Sequence, residues 1–253
     1  KGLALAADAQ RHQHQVLAAA LEYGGYGWRV LPLRDGKIPR VKAWQREASC
    51  EEGRICDWWE QWPDSNLGVK LGPDSGIVDV ECDSPEAEQL LLRLFAGDPV
   101  ITPTFQSSRG KHRLFRWRPD LPSPTKNGFK LGRLEVRTGN GDMGAQSVFP
   151  PSRHPSGINY AWLVHPSECP VADFTPAAFA ALWNATPEDL LNESVGSSSI
   201  DPIERARKYI AKMPPAISGQ GGHNMTFRVA CVLILGFALS DQQAWPLDRN
   251  SGV

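Results

Sequence analysis

The chain has 253 residues, with 27 Lys and Arg against 28 Asp and Glu and a net charge of −1. That length buries a proper core in one large domain or two, and the global charge says nothing about nucleic acid, so the local distribution has to be read. Five scattered cysteines (Cys50, Cys56, Cys82, Cys169, Cys231) form no CxxC pair and no Cys/His group, which supports neither a zinc site nor a disulfide framework and makes the cytosol the natural compartment.

Residues 5–23 carry Leu17, Ala18 and Leu21 at helical spacing with no breaker, so a helix is expected, ended by Gly24-Gly25. A strand over 26–33 stops at the turn Asp35-Gly36. The loop 36–44 holds Lys37, Arg40 and Lys42, which read as a solvated basic loop or as weak template contacts. A helix over 50–62 presents Ile55, Trp58, Trp59 and Trp62 as a core stripe. A short strand spans 66–72.

The next stretch, Ile77-Val78-Asp79-Val80-Glu81-Cys82-Asp83, follows a glycine turn and has the β-branched character of a strand. Strand side chains alternate, so Asp79, Glu81 and Asp83 share one face, with alternate Cα atoms about 6.6 Å apart. Three carboxylates on one face repel unless a cation sits among them, and a divalent ion bound by oxygen is the simplest answer. The bland alternative is a strand end whose acids face water. Ser84 and Pro85 then start a helix over 85–96, with Leu90, Leu91 and Leu94 as its buried side.

Residues 102–107 and 112–118 read as strands joined by a hairpin at Gly110. Nine Lys and Arg lie between 109 and 137, against Asp120 and Glu135, a patch suited to phosphates. The strand 133–139 puts Arg133, Glu135 and Arg137 on one face: an ion-pair ladder, or a further metal carboxylate beside phosphate-binding arginines. Residues 147–162 read as strand, Pro150-Pro151 corner and strand, and a helix runs from 175 to about 183. Polar residues 184–201 form the clearest linker. Two helices follow, over 204–213 and 225–239, and the ending 248–253 has no evident structural logic. The apolar run 229–239 is too short to span a bilayer.

Glu81-Cys82-Asp83, the turn Arg109-Gly110-Lys111-His112, and Glu135 with Arg137 stand in the order and spacing of the archaeo-eukaryotic primase superfamily. More closely, the chain resembles the bifunctional primase/polymerase amino-terminal domain of phage and plasmid replication proteins, over about residues 15–185. The segments around Gly36-Lys37-Ile38-Pro39, 66–72, and 150–157 with Tyr160 and Trp162 fit the same framework. The tail resembles the start of the helical domain that follows such domains. Departures are Glu81 and Glu135 where aspartates are usual, and Asp79 in an aliphatic's place.

The resemblance implies an α+β fold of mixed and antiparallel sheets flanked by helices, with an RRM-like sheet and a smaller N-terminal α/β unit. It implies a catalytic domain over 1–185, a linker over 186–201 and a truncated helical domain over 202–253. The implied activity is a DNA primase and DNA-directed polymerase, a nucleotidyltransferase on a single-stranded DNA template. Glu81, Asp83 and Glu135 would hold two Mg2+ or Mn2+ ions; the sequence leaves open whether Asp79 joins them. Arg109, Gly110, Lys111, His112 and Arg137 would bind the dNTP or NTP, His112 also serving catalysis. Lys37, Arg40, Arg113 and Arg116 are weaker template candidates. A replicative helicase, in cis or in trans, is the expected partner, in the cytoplasm of a bacterial, phage or plasmid setting with no membrane role. The rival readings are a metal-dependent nuclease and a catalytically silent DNA-binding initiation module.

Overall fold

An alanine-rich start without Gly or Pro between residues 3 and 23 forms helix α1, Gly2–Gly25. Val16, Ala20 and Tyr23 recur at helical spacing and are fully buried. The computed structural model describes residues 2–95, 100–119, 121, 129–139, 144–174, 184–188, 201–213, 222–237 and 239–249. It divides into two compact units, Lys1–Ser84 with Thr102–Pro176, and Pro85–Ile101 with Ala177–Val253.

The first unit holds two sheets. After α1 the chain enters β1, Val30–Arg34, and turns through Asp35 and Gly36 at φ 49° and 85°. Only glycine adopts such angles freely, with Asp among the few side chains that tolerate them. The turn leads to a two-residue strand β2, Ile38–Pro39. A short helix α2, Trp44–Glu47, follows, then α3, Glu52–Gln61. Helix α3 buries Ile55, Trp58 and Trp59, as its stripe predicts. Strand β3, Asn66–Lys70, pairs with β1, and a later strand β9, Gln146–Val148, pairs with β3. The sheet order is β2-β1-β3-β9, all antiparallel.

The second sheet is built around β4, Ile77–Cys82, every residue of which is buried. Its partners are β6, Lys111–Arg116, and β8, Leu134–Arg137. Beyond them lie β5, Thr104–Gln106, β7, Phe129–Leu131, and β10, Ala161–Val164. The order is β10-β5-β6-β4-β8-β7, with β11, Ala172–Asp173, parallel to the end of β6. The β5–β6 pairing is the expected hairpin, closed with Gln106 opposite Lys111. One apolar core runs from Val16, Tyr23 and Trp59 through Leu67 and Val69 to Phe105, Leu114 and Phe149, so α1, α3 and both sheets share it. The fold is therefore α+β with antiparallel sheets flanked by helices.

The second unit is helical. Helix α4, Pro85–Leu94, buries Ala87, Leu90 and Leu91, while Leu94 is only half-buried. Helix α5, Pro202–Ile210, starts at Asp201, whose carboxylate accepts from the Ile203 N–H at 3.0 Å. Helix α6, Gly222–Cys231, passes into a π-turn, Val232–Gly236, where one regular helix was expected over 225–239. A further helix α7, Asp241–Arg249, lies in a region the sequence left unread. Ala206, Val229, Val232, Leu233, Leu239 and Leu247 form the core of this unit. No described helix is long and apolar enough to cross a membrane. The helix expected over 175–183, most of the expected linker, Lys126, Asp120 and the last four residues lie outside the described residues.

Candidate functional site

In an antiparallel ladder, residues directly opposite each other point to the same face. Glu81 stands opposite His112 on β6 and opposite Glu135 on β8; Asp79 stands opposite Arg137. The alternation along three short strands thus gathers Asp79, Glu81, His112, Glu135 and Arg137 on one face of the second sheet. Asp83 leaves the end of β4, its N–H donating to the Arg133 carbonyl at 2.9 Å.

Arg137 lies among the acids. It donates from Nη2 to Glu81 Oε2 at 2.5 Å and from Nε to Glu135 Oε1 at 3.0 Å, and its Nη1 lies 3.5 Å from Asp79 Oδ2. The same Nη1 donates to Ser147 Oγ at 3.2 Å, and the Ser147 hydroxyl donates to Asp79 Oδ2 at 2.5 Å. Arg109 covers the other end. Its Nε sits 3.2 Å from Asp83 Oδ2 and its Nη2 4.0 Å from Glu81 Oε1, with the side chain 62% exposed. His112 Nδ1–H donates to Asp79 Oδ2 at 2.8 Å, and Nε2 lies 3.7 Å from Glu81 Oε1. The imidazole stacks on Phe105 at 4.5 Å between centroids and 8° between planes.

The electrostatics follow from burial and pairing. Burial alone would lower His112 and raise Asp79; their mutual attraction outweighs it, holding the imidazole above its usual value and the carboxyl below. Burial would also lower Arg137, and Asp79, Glu81 and Glu135 together hold it above its usual value. Asp83 is raised by burial and then by the neighbouring Glu81 carboxylate, against the pull of Arg109. Tyr160 is raised by burial first and by Glu81 next, which places its hydroxyl in the field of these acids.

Not every expected residue joins the group. Gly110 serves packing: a Cβ there would lie 1.9 Å from the Cys82 carbonyl oxygen, and the Gly110 N–H donates to Ser107 Oγ at 3.2 Å. Lys111 and Arg113 alternate with His112 along β6 and so occupy the opposite face, Arg113 being buried. Arg116 is exposed and tied to Asp173 Oδ1 at 3.0 Å. Lys37 is exposed at the β1–β2 turn. Arg40 pairs with Asp64 at 2.9 Å and lines a cavity of about 340 Å³ that none of the site acids lines.

Residues 20–177 match the family described as bifunctional DNA primase/polymerase, N-terminal. That is more than half of the chain. The chain belongs to this family. No curated protein matches it significantly.

A prim-pol domain is a nucleotidyltransferase-type domain, and enzymes of the family are generally metal-dependent. The donor chemistry here fits a hard cation in part. Asp83 Oδ1 is buried without a hydrogen-bond partner, and Asp83 is raised by burial first and by the adjoining Glu81 carboxylate next. A cation between Glu81 and Asp83 would relieve both. Glu135 is held by Arg137, and among the described residues no three His, Cys, Asp or Glu side chains gather at ligand distances. Two partners in this prim-pol site were not anticipated. Ser147 sits on a strand of the other sheet, and Phe105 meets His112 only through the hairpin register. Neither carries a local signal; only the β5–β6 register, had it been fixed from the turn at Gly110, would have paired Phe105 with His112.

Proposed function

We propose that this domain joins nucleotides on a single-stranded DNA template, as a primase and DNA-directed polymerase in phage or mobile-element replication. The observation that carries this reading is the convergence of Glu81, Glu135, His112 and Arg137 on one sheet face through the β6-β4-β8 ladder, beside Asp83. Glu81 and Asp83, with Glu135 once Arg137 releases it, would hold the divalent ions. Such ions stabilise charge on the attacking 3′-hydroxyl and on the leaving pyrophosphate. Arg109, mostly exposed at the rim, and Arg137 supply guanidinium groups for the triphosphate, and guanidinium geometry matches phosphate. His112 presents Nε2 along the same face. The exposed Lys37 is the template candidate left free by the geometry, and a replicative helicase is the partner expected for this role.

The test is synthesis on a single-stranded template, with and without primer, in Mg2+ and in Mn2+. Extension of a primer or formation of a new strand is expected. Shortening of the DNA would assign a nuclease, and no product with salt-sensitive binding would assign a silent DNA-binding module. Glu81→Ala and Asp83→Ala should each cut synthesis by about a hundred- to a thousandfold, by analogy with other groups that stabilise a transition state, and leave DNA binding intact. Synthesis surviving both substitutions would sink the metal assignment.

A further inference from the structure

The cavity of about 340 Å³ in the first unit is walled by helix α1, the turn after β1 and the loop 63–66 before β3. Its volume falls in the range that small ligands occupy, about 300–1,000 Å³. Arg34, Arg40 and Arg153 line it, from three separate segments. Each is paired with a carboxylate: Arg34 with Asp35 at 2.6 Å, Arg40 with Asp64 at 2.9 Å, and Arg153 with Asp8 at 3.3 Å. In every pair the carboxylate is the more exposed member, most clearly Asp64 at 72% against Arg40 at 19%. Ion pairs open to water gain little, so an arriving anion can take over the guanidinium groups at small cost.

Two donors in the same place have nothing to donate to. The Ser65 hydroxyl, on a residue 3% exposed, and Arg40 Nε–H are buried with no partner among the described residues, and both residues line the cavity. A buried donor without an acceptor costs stability, and a ligand rich in acceptor oxygens removes that cost. The cradle is held in shape by Asn66. Its Nδ2 donates to the carbonyls of Arg153 at 2.7 Å and Gly36 at 3.2 Å, and its Oδ1 accepts from the Arg153 N–H at 2.9 Å. His12 adds a further polar edge; burial and then Arg153 hold its imidazole below the usual value, against Asp8, so at neutral pH it offers one N–H.

We propose that this cavity is a second binding site, taking the phosphate monoester of a free, mononucleotide-sized ligand, with Arg40 and Arg153 on its oxygens and Ser65 donating to one of them. Guanidinium forks match phosphate oxygens in pairs, and three of them suit a doubly charged group. A strand's backbone is tracked along a groove, whereas a walled cavity suits a compact molecule. None of the acids of the β6-β4-β8 ladder lines it, so the site stands apart from the polymerase reading.

The experiment is calorimetric titration of the whole chain with AMP in EDTA, with adenosine as the phosphate-free control and a single-stranded oligonucleotide as competitor. AMP should bind with a Kd of about 10 µM to 1 mM, and adenosine should not bind. Arg40→Gln should weaken AMP about tenfold or more. Asp64→Asn removes an exposed competitor for Arg40 and should tighten AMP about two- to fivefold. Ser65→Ala should weaken AMP about two- to tenfold without lowering the urea midpoint of the unliganded protein.

No binding by about 10 mM AMP overturns the proposal, and so does equal binding of adenosine. Loss of AMP binding in Arg109→Gln with Arg40→Gln unaffected moves the phosphate to the acidic ladder and also overturns it. An oligonucleotide that displaces AMP, and itself binds less tightly to Arg40→Gln, assigns the arginines to a DNA strand and rejects the small ligand. If Arg40→Gln does not fold, Asp64→Asn decides: an unchanged or weakened affinity rejects the site. Synthesis is not the readout, so the outcome stands whether or not the domain makes DNA.

Discussion

At the scale of single residues, the Asp79–His112 pair sets a pH window. His112 is raised by Asp79 above its ordinary value, so its stabilisation is complete below about pH 6.5 and is lost as pH rises through the folded value. Asp79 is depressed, so its share is present above its unfolded value and is lost as pH falls through the folded one. The metal-free protein should therefore lose stability from neutral toward alkaline pH, with a slope of at most about 1.4 kcal/mol per pH unit from this one proton. Urea unfolding at a series of pH values measures it, and His112→Gln should flatten that slope. An unchanged slope would mean the imidazole is not charged in the fold. The acids at 79, 81 and 83 were legible because strand alternation puts them on one face. The role of Arg137 as the counter-ion among them was not, since it depends on which strand lies beside β4.

At the scale of elements, the site depends on how closely the β5–β6 hairpin approaches the end of β4. Gly110 permits that approach, as a Cβ would collide with the Cys82 backbone. Gly110→Ala should lower stability by about 2–3 kcal/mol, since backbone has to move; a midpoint shift in urea reads it directly. Tyr23 ties α1 to the loop before β10: its hydroxyl donates to the Pro150 carbonyl at 2.9 Å and accepts from Trp162 Nε1 at 2.7 Å. Tyr23→Phe leaves both partners short of a bond inside the core, for a loss of about 1–3 kcal/mol. Elements with strong periodicity, α1, α3 and β4, could be read from the chain. The two-residue β2 and the one-turn α2 could not, because neither is long enough to show a period. Helix α7 was missed because Pro246 interrupts it, although Ser240 and Gln243 cap its start, with Gln243 Oε1 accepting from the Ser240 N–H at 3.0 Å.

At the scale of the whole molecule, a net charge of −1 leaves no general attraction for DNA. Under the proposed function, binding is local and involves few phosphates. The dependence of log K on log salt should then be shallow, with a slope of about −2 to −4. Removing the exposed Lys37 should reduce that slope by about one if it meets a phosphate, and leave it unchanged if it does not. Fluorescence anisotropy of a labelled single strand over a salt series distinguishes the two.

Arg137 cannot satisfy two sets of anions at once. In the fold it is already occupied, spread over Glu81, Glu135 and Asp79. Under the proposed function a triphosphate entering the face would compete for that guanidinium and, by drawing it away, free the acids for cations. Nucleotide and cation should therefore each tighten the other's hold, by the same factor in both directions. Under the proposed function the resident guanidinium would act as a plug, keeping lone cations out of an idle site and yielding when substrate arrives.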